Sequence, residues 1–68
     1  MHYYVHTETD NQGDYEVHHA GCLHIPLARN REYLGYFSSC TLAVARAKEI
    51  GYKTADGCYW CSPACHTS

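Results

Sequence analysis

Cysteine and histidine residues form two short clusters that lie far apart in the sequence. His18 and Cys22 have the spacing H-x3-C, and Cys58 and Cys61 form a C-x2-C pair. A C-x2-C turn directs two thiolates at one ion, and a second pair from elsewhere in the chain completes a tetrahedron. Thiolates and neutral imidazoles are the ligands that zinc prefers. The sequence therefore predicts one zinc ion bound by His18, Cys22, Cys58 and Cys61.

Other cysteine and histidine residues leave alternatives open. The candidates to replace His18 as a ligand are His19, His24, Cys65 and His66. His19 is adjacent to His18, so the two side chains point to different faces if a strand continues through them. Cys40 and Cys65 lie outside the predicted ligand set, as two free thiols or as a disulfide. A competing interpretation is a thiol or redox protein with disulfides instead of metal, although five cysteines fit a full disulfide framework badly.

The length of the chain predicts a single domain, residues 1–68, that needs more than its hydrophobic core to stay folded. A core of this size contributes only ~3–5 kcal/mol, so a metal is expected to complete the fold. The sequence has no secretory signal and no run of about 20 apolar residues that could span a membrane. We therefore expect a cytoplasmic monomer, because clustered Cys and His are typical of metal sites in reducing compartments.

The charge of the chain argues against a nucleic-acid module. The formal net charge is −2, and the basic residues are Arg29, Arg31, Arg46, Lys48 and Lys53. Neutralisation of phosphates supplies most of the affinity for nucleic acids, and this chain has no basic stripe.

The site also has no paired general base and no vacant coordination position implied by its spacing, so we expect no enzyme. A protein partner is predicted to dock on exposed aromatic residues near Tyr33, Tyr36 and Trp60.

A hairpin and a short third strand are predicted in the first half of the chain. Residues 2–9 alternate between two faces, and residues 14–18 repeat this alternation as a returning strand. Residues 10–13 between them are rich in Asp, Asn and Gly, which favour tight turns. Residues 33–37 are aromatic and predict the third strand.

One main helix is predicted over residues 40–50. Ser39 is a suitable N-cap, and Ala43 and Ala47 fall on one face of the helix. The chain then returns to the C-x2-C knuckle, residues 58–61. The predicted fold class is α+β: a small zinc-stapled domain with an N-terminal β-hairpin, a short third strand, one main α-helix and a C-terminal C-x2-C knuckle.

These motifs, in this order, give the chain a resemblance to the zinc module at the N-terminus of the Ada DNA-repair methyltransferase. The resemblance covers roughly residues 15–61. The matching segments are His18 to Cys22, Phe37-Ser38-Ser39 to Ala43, Ala47 to Tyr52, and Gly57-Cys58 to Cys61. Over its full length the chain is similar to small stand-alone bacterial proteins of unassigned function.

Two departures limit what the Ada resemblance implies. The Ada module holds its ion with four cysteines, one of which accepts a methyl group from a DNA phosphotriester. Here His18 stands at the first ligand position, and a neutral imidazole cannot replace that nucleophilic thiolate. The basic DNA-binding unit fused to the Ada module has no counterpart here. The resemblance thus implies the fold and the metal but not methyl transfer. The predicted function is a non-catalytic zinc-binding module with a structural or interaction role; the alternative is a weak nucleic-acid-binding module.

Overall fold

Strands β1 (His2–His6) and β2 (Tyr15–His19) form the antiparallel hairpin that the sequence predicts. The computed structural model describes residues 1–67. Asp10 closes the connection between β1 and β2. Its carboxylate accepts the backbone N–H groups of Gln12 at 2.8 Å and of Asp14 at 2.9 Å. This local bonding is typical of aspartate in turns.

Two further strands extend the hairpin on both sides. Strand β3 (Arg31–Tyr36) pairs antiparallel with β1, and β4 (Ala55–Gly57) pairs parallel with β2. The strand order is therefore β3-β1-β2-β4. The register shifts between Tyr3 and Tyr4, which leaves Leu34 without a partner residue in β1, and Leu34 is buried. The sequence predicted β3 but not β4.

Helix α1 (Cys40–Glu49) covers one face of the sheet, as predicted. The hydroxyl of Ser39 accepts the backbone N–H of Leu42 at 3.4 Å, so Ser39 is the N-cap. Ala43 and Ala47 are fully buried, and these small side chains allow the helix to lie close to the sheet. The buried core consists of Tyr3, Val5, Val17, Leu34, Ala43, Ala47 and Ala55. The α+β fold class is confirmed.

The C-terminal segment is attached to both the helix and the sheet. A disulfide joins Cys40, at the start of α1, to Cys65, in the 3-10 turn Pro63–Cys65. The carboxylate of Asp56 in β4 accepts the hydroxyl of Thr67 at 2.8 Å and its backbone N–H at 3.0 Å. Cys40 and Cys65 are thus a disulfide, and the other three cysteines are thiols.

The helices of the described part of the chain are short. None of the helices within residues 1–67 is long and apolar enough to cross a membrane.

Candidate metal centre

The two predicted half-sites meet because β2 and β4 are parallel neighbours. The backbone N–H of Cys58 donates to the carbonyl oxygen of Val17 at 2.9 Å, which continues the strand pairing beyond the end of β4. His18 follows Val17 directly in β2. The first residue of the C-x2-C knuckle is therefore held beside the first residue of the H-x3-C motif.

Tight turns bring the second residue of each pair to the same place. The backbone N–H of Cys22 donates to the carbonyl of His19 at 3.1 Å, and Gly21 has a φ of 93°, which other residues rarely adopt. In the knuckle, the backbone N–H of Ser62 donates to the carbonyl of Cys58 at 2.9 Å. These turns fold each pair so that its two ligand atoms face a common point.

The resulting cluster has the composition and dimensions of a metal site. One ligand atom from each of His18, Cys22, Cys58 and Cys61 lies within 4.8 Å of the others. Nδ1 of His18 is 3.6 Å from Sγ of Cys22. A zinc tetrahedron with ordinary Zn–N and Zn–S lengths has an N···S edge of about 3.6 Å. His18 and Cys58 are only 1% exposed, and Cys22 is 6% exposed. The four residues named from the sequence thus form a candidate metal-binding cluster.

The surroundings of the cluster favour a neutral imidazole. Burial, with smaller contributions from the nearby His6, His24 and His19, lowers the pKa of His18 from 6.5 to about 4. A neutral ring has a lone pair free for a metal. Since its protonated form is disfavoured, His18 is ready to act as a ligand near neutral pH.

The thiols of the knuckle, buried at Cys58 and half-buried at Cys61, are donors that a metal would ionise. Burial raises the pKa of Cys58 and of Cys61, and backbone N–H groups directed at each sulfur oppose this shift. The backbone N–H of His24 likewise donates to Sγ of Cys22 at 3.4 Å. Amide dipoles of this kind stabilise thiolates, and a bound cation deprotonates coordinating thiols outright.

The alternative ligands lie outside this cluster. The ring of His19 bonds through Nδ1 to the carbonyl of Ala20 at 2.7 Å, and that of His66 to the carbonyl of Gly57 at 3.0 Å. Cys65 is in the disulfide. His24 instead stacks on Trp60, with 5.1 Å between the ring centroids.

Two further residues lie beside the cluster. Trp60 lies within the knuckle, and it is 67% exposed. Glu16 was not singled out from the sequence, yet its Oε1 lies 3.5 Å from Nε2 of His18. The available signal was its position two residues before His18 on the same face of a predicted strand.

Comparisons with protein-family models, with curated proteins and with solved structures find no match to this chain. The site must therefore be interpreted from its own chemistry.

Proposed function

We propose that the protein is a non-catalytic zinc-binding module, in which the ion holds the two halves of the chain together and the surface serves interaction. The observation that supports this most strongly is the cluster of His18, Cys22, Cys58 and Cys61, with ligand atoms within 4.8 Å of one another. One imidazole and three thiolates form a donor set that selects zinc over the hard cations magnesium and calcium.

The number of ligands supports a structural role for the ion. Structural zinc sites use four protein ligands, whereas catalytic sites leave one position open for water or substrate. Here four protein donors are available to fill a tetrahedron. The near-complete burial of His18 and Cys58 further separates the ion from substrates. The bound ion would replace hydrophobic core that a 68-residue chain lacks.

Native mass spectrometry of the protein with and without a chelator tests this proposal. We expect one zinc ion per chain without chelator. The chelator should remove the ion, and the cooperative thermal unfolding transition should be lost with it. Structural zinc contributes ~10–16 kcal/mol in small zinc peptides, so the melting temperature should fall steeply. The same spectra count the disulfides. A reduced protein that holds no metal and melts at the same temperature with chelator would refute the proposal.

For the compartment, we propose the cytoplasm, because three of the cysteines are thiols gathered in a ligand cluster. The Cys40–Cys65 disulfide is the feature that opposes this assignment, since stable disulfides are rare in reducing compartments. Trapping free thiols with an alkylating reagent in intact cells decides the matter. Alkylation of Cys40 and Cys65 there supports the cytoplasm, and their protection contradicts it.

A protein is the partner we propose for the exposed aromatic residues. Tyr33 is 51% exposed, Tyr36 is 69% exposed and Trp60 is 67% exposed. Tyrosine and tryptophan dominate the energetic centres of protein interfaces. The net charge of −2 opposes phosphate-rich partners. A purified candidate partner should bind the wild type at least tenfold more tightly than Tyr36→Ala or Trp60→Ala, with Leu42→Ala on the helix as the control.

The second candidate is the nucleic-acid module that the Ada resemblance suggests. One observation favours it: the guanidinium of Arg31 lies 4.8 Å from the centre of the Tyr4 ring. Tyr4 in turn contacts Tyr33 with 5.3 Å between ring centroids. Aromatic residues beside arginine are the groups on which unpaired bases stack. One arginine contributes little to the electrostatic attraction of phosphates, so the nucleic-acid module ranks second.

A further inference from the structure

The ring of His18 presents its two nitrogens to different surroundings. Nδ1 faces the thiols, 3.6 Å from Sγ of Cys22. Nε2 is fully buried and has no hydrogen-bond partner of good geometry among residues 1–67. A neutral imidazole carries one proton, and a nitrogen that binds a metal must be free of it. The proton of His18 therefore belongs on Nε2, where it needs an acceptor.

Glu16 is placed to be that acceptor. It lies two residues before His18 in β2, so both side chains leave the same face of the sheet. Its Oε1 is 3.5 Å from Nε2 of His18, yet Glu16 is not one of the residues whose ligand atoms gather within 4.8 Å. The carboxylate thus lies on the side of the ring away from the thiols.

The remaining gap between the two groups is small. A separation of 3.5 Å exceeds the 2.7–3.2 Å of ordinary N–H···O hydrogen bonds. The side chain of Glu16 is 32% exposed, whereas that of His18 is 1% exposed and fixed by packing. A modest rotation of the glutamate side chain, which keeps one edge in water, closes the distance.

We propose that Glu16 is a positioning residue for the metal site: it accepts the Nε2–H of His18 and so holds the ring in the tautomer whose Nδ1 is free to bind the ion. This inference rests on the proposed zinc-binding function. Carboxylates that orient a ligating histidine raise its basicity, and their loss typically weakens metal binding by ~10–100-fold. Glu16 does not touch the ion; it acts through His18.

Zinc affinity in competition with a chromogenic chelator provides the first test. We expect Glu16→Ala to bind zinc ~10–100-fold more weakly than the wild type. Glu16→Gln keeps an acceptor oxygen but loses the charge, so its affinity should lie between the two. Glu8→Ala removes one negative charge from the exposed Glu8 beyond the end of β1 and should bind zinc as the wild type does. Equal affinity of wild type and Glu16→Ala overturns the proposal, and so does an equal loss in Glu8→Ala.

Nitrogen NMR of the imidazole rings in the folded, zinc-loaded protein provides the second test. The Nε2–H signal of His18 should show a hydrogen bond in the wild type, and Glu16→Ala should remove it. In the zinc-loaded wild type, Nδ1 should carry the metal-bound signal. A metal-bound Nε2 overturns the proposal.

The two tests separate this proposal from the proposed function. A wild type that stays folded without zinc and shows a Glu16-dependent Nε2–H signal refutes the function and overturns the metal-positioning role, while the contact itself stands. A wild type that binds zinc with an Nε2–H signal independent of Glu16 refutes only the role of Glu16. The fold of each variant is checked in the same NMR spectra, since Glu16→Gln is nearly isosteric with the wild type.

Discussion

The backbone N–H of Cys58 donates to the carbonyl oxygen of Val17 at 2.9 Å, and this bond extends the pairing of β2 and β4 into the candidate metal site. Val17 is fully buried in the core beneath α1, so the knuckle is anchored to the best-packed part of the sheet. A bound ion would add a further link between the same two segments. Metal binding and folding should therefore be strongly coupled.

Removal of a metal ligand should lower the free energy of unfolding far more than removal of the disulfide does. Cys61→Ser takes one thiolate from the site and should abolish zinc-dependent folding or nearly so. Cys40→Ser breaks a disulfide that spans 25 residues, which should lower the free energy of unfolding by about 3–4 kcal/mol through loop entropy. Urea unfolding of both variants with zinc present and without reductant measures the difference. Equal stability of the two variants would show that the ligand assignment is wrong.

The sequence predicted the elements that have strong local signals. The alternation along β1 and β2 can be read within one short stretch of sequence. The same holds for the Ser39 cap and for the spacing of Ala43 and Ala47 in α1. The ligand set was predicted from spacing alone, because the H-x3-C and C-x2-C pairs each fold into one turn and leave few other arrangements that satisfy a tetrahedron.

The features that the sequence did not predict depend on contacts between distant segments. Strand β4 has only three residues, with Asp56 and Gly57 in it, and shows no alternation. It exists because β2 offers a free edge for parallel pairing. The Cys40–Cys65 pairing was left open because it depends on where the last turn docks against the helix. Glu16 was missed because a charged residue on a strand is usually solvated.

Gly57 should tolerate no side chain, because the C-terminal turn packs directly against it. A Cβ added there would lie 2.6 Å from Cβ of Cys65 and 2.7 Å from the carbonyl oxygen of Ser62. Gly57→Ala should therefore destabilise the protein by about 1–3 kcal/mol or more, as overpacking does.

Gly13→Ala is the control for this steric effect. Gly13 has a φ of 84° but open space around it, so only the backbone cost of about 1–2 kcal/mol applies. Chemical denaturation of both variants gives the comparison, and zinc binding by Gly57→Ala should weaken as the turn is displaced. If Gly57→Ala is the more stable variant, the packing of the turn against β4 is wrong.

Stability at high pH should depend on the pair formed by Tyr52 and Glu32. The phenol donates to the carboxylate at 2.7 Å, and this hydrogen bond, with burial and the negative charge, raises the pKa of Tyr52 from 10.0 to about 12. The fold thus favours the neutral phenol. Its stabilising effect is complete below pH 10.0 and is lost as the pH rises towards 12.

Tyr52→Phe should remove this pH dependence. The wild type should lose about 1 kcal/mol relative to Tyr52→Phe between these two pH values, a small effect because the pair is partly exposed to solvent. Urea unfolding at several pH values measures it, and the tyrosinate absorbance of wild type minus Tyr52→Phe reports the pKa directly. A difference spectrum that titrates near pH 10 would contradict the assigned hydrogen bond.

DNA should be neither a methyl donor nor a tight ligand for this protein. The resemblance to the Ada module would place His18 where that module uses a thiolate, and the chain has a net charge of −2. Incubation with DNA that carries labelled methyl phosphotriesters should leave Cys22 unlabelled.

Binding to single-stranded DNA, measured by fluorescence anisotropy, should be weaker than micromolar at physiological salt. Any residual affinity should fall with salt with a log–log slope of about −0.7 per phosphate contact, so that one arginine gives a slope shallower than −1. Submicromolar binding that Arg31→Glu or Tyr36→Ala abolishes, while Arg46→Glu in α1 does not, would make the sheet face a nucleic-acid surface. Transfer of label to Cys22 would contradict the structural role more directly, because a ligand that only holds the fold together has no need to be a nucleophile.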